Sequence, residues 1–140
     1  MKDRKQIQIT FLIFIFLAAN QTSLANFSIA EKFYRTELYF GMDIPGGGEV
    51  SEDEWNKFLA DEVTSRFPDG FTVLQGYGQF KDSSGVIERE NSRVLILFYP
   101  KKRRSEIHKK IEEIRAVYKN RFRQKSVLRL DYVRSVEVSF

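Results

Sequence analysis

Arg35, Glu37 and Tyr39 stand at alternate positions, so a strand through them puts all three on one side. Arg offers a planar fork for a carboxylate or phosphate, and Tyr offers a ring and a hydroxyl. Glu37 would be a proton acceptor if burial raised its pKa. Gln75, Tyr77 and Gln79 alternate in the same way farther along, with Gly76 and Gly78 leaving room on the opposite side. Arg129, near the end, can join the set. These seven residues are the candidate ligand-binding face. The competing reading is structural: Arg35 and Glu37 pair along or across strands. No catalytic residue and no metal ligand is assigned.

Other chemistry is excluded or weak. The chain has no cysteine, which removes thiol nucleophiles, zinc-thiolate sites and disulfides. Its one histidine, His108, lies beside Lys109 and Lys110 and is expected to be exposed. Glu52/Asp53 and Glu112/Glu113 are adjacent on expected helices and diverge, so they make poor acid/base dyads. Gly46-Gly47-Gly48 precedes a helix start but lacks the Gly-Lys-Ser/Thr of a phosphate loop. Lys101-Lys102-Arg103-Arg104 reads as a solvated loop, with an anionic surface as the alternative partner. No aromatic residue interrupts that run, which argues against single-stranded nucleic acid. No cofactor is expected.

Six elements must position these residues. Residues 33–42 form a strand, with Tyr34, Thr36, Leu38 and Phe40 on the other side from Arg35. Ser51-Glu52-Asp53-Glu54 is a capping box, Val50 and Trp55 suit a hydrophobic staple, and Trp55, Phe58, Leu59 and Val63 make an apolar stripe. Residues 71–81 and 86–99 are strands joined at Asp82-Ser83-Ser84-Gly85, the second read with a break near Asn91. Ser105 is placed to cap a second helix, with Ile107, Ile111, Ile114, Tyr118 and Phe122 as its stripe. Residues 126–140 form the last strand, read in two pieces around 132–135. The order β-α-β-β-α-β is the α+β, ferredoxin-like pattern: an antiparallel sheet with two helices on one face.

Residues 1–25 read as a signal peptide. A basic start, Lys2 to Lys5, precedes an apolar core from Ile9 to Ala19, and Ser23-Leu24-Ala25 supplies small residues at a cleavage site. The apolar run is shorter than the roughly 20 residues of a spanning helix. The expectation is cleavage after Ala25, an exported protein, periplasmic or secreted, and no stable membrane insertion afterwards. Residues 26–32 are then a linker and 33–140 one domain. Of 23 basic and 19 acidic side chains, three and one fall in the leader, so the remainder is close to neutral. The high isoelectric point is therefore no argument for nucleic acid.

Several blocks are distinctive: Tyr34-Arg35-Thr36-Glu37-Leu38-Tyr39-Phe40-Gly41, Gly48-Glu49-Val50-Ser51-Glu52 with Trp55, Arg66-Phe67-Pro68-Asp69-Gly70-Phe71-Thr72-Val73, Tyr77-Gly78-Gln79, and Ser126-Val127-Leu128-Arg129. Together they resemble the bacterial domain-of-unknown-function family 3574, across residues 33–140. Ser65 stands where that pattern has proline and Phe80 where it has tryptophan. The resemblance implies a small exported bacterial domain and carries no reaction, ligand or catalytic residue.

Val94-Leu95-Ile96-Leu97-Phe98 is apolar at both parities, as in a strand buried on both faces. Two helices cover one face, so a second copy is the simplest cover for the other. The expected function is a non-catalytic binding or assembly module, homodimeric through its open sheet face. The alternative is a small enzyme, isomerase or monooxygenase-like, with a pocket at that interface using Arg35, Glu37, Tyr39 and Tyr77.

Overall fold

The computed structural model describes residues 31–81 and 83–138. The expected signal peptide and residues 26–30 of the expected linker lie outside these residues, and Glu31 and Lys32, read as linker, already belong to the first strand. The chain runs β1 (Glu31–Gly41), α1 (Glu52–Phe58), β2 (Thr72–Lys81), β3 (Ile87–Pro100), α2 (Arg104–Arg121) and β4 (Leu128–Val138). The sheet order is β2-β3-β1-β4, with every neighbouring pair antiparallel. This is the expected β-α-β-β-α-β arrangement.

Local chemistry explains both helices. Ser51 caps α1: its hydroxyl accepts from the Glu54 amide at 3.3 Å, and the Glu54 carboxylate accepts from the Ser51 amide at 2.9 Å. The helix continues as a π-turn over Leu59–Thr64, and Val63, five residues after Phe58, is buried. The five stripe residues of α2 are all buried as well. Ser105 does not cap α2. A 3-10 turn at Lys101–Arg103 feeds directly into the helix, and Arg103 instead grips Glu106 through Nε at 3.2 Å.

The core lies between the helices and one face of the sheet. Leu38 and Phe40 of β1 and Leu95 and Leu97 of β3 are fully buried there with Trp55, Phe58 and Tyr118. The Phe40 ring packs edge-on against Tyr118 at 4.6 Å and Trp55 at 5.3 Å between centroids. β3 is unbroken at Asn91, whose carbonyl accepts the Met42 amide at 3.0 Å as β1 ends. β4 is one strand, but its register against β1 shifts between Phe33 and Arg35, which sets the irregularity opposite 133–135.

Candidate functional site

β1 presents Arg35, Glu37 and Tyr39 on the face that carries no helix. Register gives each its neighbours: Phe98 and Tyr132 flank Arg35, Ile96 and Leu130 flank Glu37, and Val94 and Leu128 flank Tyr39. Arg35 Nη2 forms an ion pair with Glu37 Oε1. Tyr39 donates to Glu37 Oε2 at 2.7 Å, and Tyr132 donates to Oε1 at 3.2 Å. The Arg35 guanidinium also lies over the Tyr132 ring at 4.9 Å and the Phe98 ring at 5.8 Å. Glu37 is only 4% exposed although its face is open, because these side chains close over it.

The electrostatics follow from this shell. Burial alone raises the proton affinity of Glu37. The hydrogen bonds from Tyr39 and Tyr132 and the Arg35 charge more than reverse it, so the carboxyl titrates below the usual glutamate range. Donating to that anion in turn raises the proton affinity of the Tyr39 phenol, with burial adding to it. Glu37 is therefore a saturated anion with both oxygens engaged, which is the opposite of a poised proton acceptor.

The other expected members are elsewhere. Gln75 pairs with Arg93, Tyr77 with Asn91 and Gln79 with Arg89, and all lie at the helix-side parity. Arg129 pairs with Leu38 and shares that side. The seven residues thus divide into Arg35, Glu37 and Tyr39 on one face and Gln75, Tyr77, Gln79 and Arg129 on the other. Alternation within each strand is as expected. The registers between strands decide which sets coincide, and a shift of one residue exchanges the faces. Gly76 and Gly78 occupy the open side, where a Cβ on Gly76 would meet Ser92 Oγ at 2.5 Å.

On the helix side Arg129 belongs to a charged ladder. Its Nε donates to Asp131 at 2.9 Å and its Nη1 to Glu112 at 2.8 Å. Thr36 donates to Asp131 at 2.6 Å and is joined to the Tyr99 hydroxyl at 2.9 Å. Burial raises the proton affinity of Asp131, but Arg129 and Thr36 hold its carboxyl below the usual range. Tyr132 of the open face and Thr36, Tyr99 and Asp131 of this ladder escaped the sequence reading. Thr36, a polar residue in the apolar set of β1, was the one available signal.

Three remaining candidates have ordinary surroundings. Arg103 of the basic run reaches Glu106, and Arg104 lies 5.4 Å over the Tyr34 ring. The Gly46-Gly47-Gly48 loop closes on itself, with the Gly47 amide donating to the Ile44 carbonyl and the Ile44 amide to the Gly48 carbonyl, both at 2.9 Å. His108 is exposed. Among the described residues no three His, Cys, Asp or Glu side chains are grouped to hold a metal ion, and no helix is long and apolar enough to cross a membrane.

A family model for proteins of unknown function, DUF3574, matches residues 35–140. The chain belongs to the DUF3574 family. No curated protein matches this DUF3574 chain. Among solved structures it is similar to a phage SAM lyase in complex with S-methyl-5'-thioadenosine, at 16% identity and a TM-score of 0.55, over 78% of this chain and 92% of that one. The same lyase in its apo state gives 14% identity and a TM-score of 0.52, with the same coverage. At such identity the likeness shows a shared fold between the DUF3574 domain and the lyase.

Proposed function

We propose that this DUF3574 domain is a non-catalytic assembly module, exported by its N-terminal signal, whose open sheet face takes a second copy of the chain. One observation carries the reading. Leu74, Phe98, Leu130 and Tyr132 are 50%, 45%, 41% and 43% exposed on that face, around an Arg35–Glu37 pair that is already neutralised. Apolar groups surrounding an internally paired charge suit a dry, self-complementary contact. Four strands about 4.8 Å apart and some ten residues at about 3.3 Å each make a face of about 600 Å2. That is close to the roughly 800 Å2 each partner gives to a standard interface. At the centre of the face the charges of Arg35 and Glu37 cancel, and the acids Glu88 and Glu90 lie at its end.

The enzymatic alternative has less support. Tyr77 stands across the sheet from Glu37, and Glu37 has no free oxygen for a proton. The lyase's ligand belongs to the lyase, and the shared fold alone carries no reaction to this chain.

Sedimentation velocity on the purified chain tests the reading. The expected result is a dimer at micromolar concentration that Leu130→Asp converts to a folded monomer, because the new charge would be buried unpaired at the contact. A wild-type chain that stays monomeric near millimolar concentration overturns it.

A further inference from the structure

β3 is longer than the strand beside it. It pairs with β1 only as far as Gly41–Ser92, but with β2 as far as Lys81–Ile87. The β2–β3 hairpin therefore overhangs the end of β1. On the open-face side of the overhang lies a groove of about 810 Å3, bounded by the loop after β1 and the segment before β4. Its volume is within the range of small-molecule sites, about 300–1,000 Å3.

The groove has a particular chemistry. Tyr39, Phe80 and Leu128 line it, and the last two are 58% and 55% exposed. Glu90 lies among them, half-buried. Its carboxylate occupies the space above Gly41, where any Cβ would collide with it. Burial raises the proton affinity of that carboxylate, the Asp43 backbone N–H lowers it and the Asp43 charge raises it, and among the described residues no Lys or Arg forms an ion pair with it. Glu88 adds a further acid to the lining. Of the two basic residues there, Arg89 turns its Nε to Gln79 at the helix-side parity, which leaves Lys125. A partly desolvated carboxylate with no ion-pair partner among the described residues, beside the exposed Phe80 ring and the half-buried Tyr39 ring, complements a cation with an apolar body, through a charge-assisted hydrogen bond and cation–π contact.

We propose that this groove binds a small organic cation carrying an aromatic or apolar group, with Glu90 taking the charge and Phe80 and Tyr39 taking the body. Every group comes from one chain, so the site is complete in a monomer, and its Tyr39 and Leu128 lie on the face that the proposed second copy would cover. Gly41 serves it by lacking a side chain, which lets the Glu90 carboxylate lie across the end of β1.

Amide chemical shifts followed in an NMR titration with phenethylammonium test the proposal, with 3-phenylpropionate as the anionic control. The cation should give saturable shifts centred on Gly41, Asp43 and Glu90, and the anion should give none. Glu90→Gln should weaken binding about tenfold, equal to about 1.4 kcal/mol. Phe80→Ala, at an exposed position, should weaken it several-fold with the spectrum otherwise intact. Failure to saturate by about 10 mM, equal response to the anion, or unchanged affinity in both variants overturns the proposal.

Discussion

Glu37 and Tyr132 are 95 positions apart in sequence and are joined by a 3.2 Å hydrogen bond from the phenol to the carboxylate. The bond ties β4 to β1 across the open face and puts two tyrosines on one anion. Glu37→Gln keeps the shape but removes the charge that Arg35 and both phenols engage. A loss of about 1–2 kcal/mol is expected by urea denaturation at pH 7. Because the folded carboxyl titrates below its ordinary value, the contribution is complete above the reference value of 4.5 and is lost as pH falls through the lowered folded value. The stability gap between wild type and Glu37→Gln should therefore narrow in acid. A gap that widens there would contradict the assigned direction.

Thr36 joins β1 to Tyr99 of β3 and Asp131 of β4, and it is fully buried. Thr36→Val preserves volume but leaves the Tyr99 hydroxyl without this partner and Asp131 with Arg129 alone. The expected cost is about 1–3 kcal/mol. In a double-mutant cycle with Tyr99→Phe, the second change should cost less once Thr36→Val is in place. Strict additivity would show that the 2.9 Å contact between Thr36 and Tyr99 contributes nothing.

Leu97 and Leu130 separate fold from assembly. Leu97 is fully buried on the helix side, and Leu130 is 41% exposed on the open side. Leu97→Asp should prevent folding, with loss of the far-ultraviolet circular dichroism spectrum, because an unpaired charge cannot occupy that core. Leu130→Asp should leave the spectrum unchanged and alter only the sedimentation coefficient.

Trp55 is 2% exposed and packs within 5.6 Å of Phe58 and 6.0 Å of Tyr118, between ring centroids. Trp55→Ala should destabilise the domain by about 3–5 kcal/mol through the cavity it leaves. A loss under about 1 kcal/mol in equilibrium unfolding would mean that the aromatic cluster is not the centre of the core.

Local patterns carried most of the fold into the sequence. The Ser51–Glu54 box, the stripe from Ile107 to Phe122 and the alternation of β1 each need only a few neighbouring residues to be read. The candidate site was half legible for the same reason. Arg35, Glu37 and Tyr39 share one strand, so their common face follows from its period of two. Whether Gln75 or Gly76 joins them depends on β2 meeting β3 at Thr72–Ile96, a pairing no local pattern reports. Arg129 was misplaced in the same way, since Leu130 rather than Arg129 lies opposite Glu37. Ser105 misled because the turn from Pro100 had already begun the helix upstream.

The strand order carries a kinetic consequence. β1 and the Ser92–Ile96 stretch of β3 have a strand on both sides, whereas among the described residues β2 and β4 each pair along one edge only. Amide deuterium uptake should therefore be slowest along β1 and β3 and faster at the outward-pointing amides of β2 and β4. Two copies stacked face to face cover side chains and leave those edges alone, so dimerisation would spare this gradient. Copies joined edge to edge would slow one outer strand to the pace of the centre, and the exchange pattern alone would tell the two architectures apart.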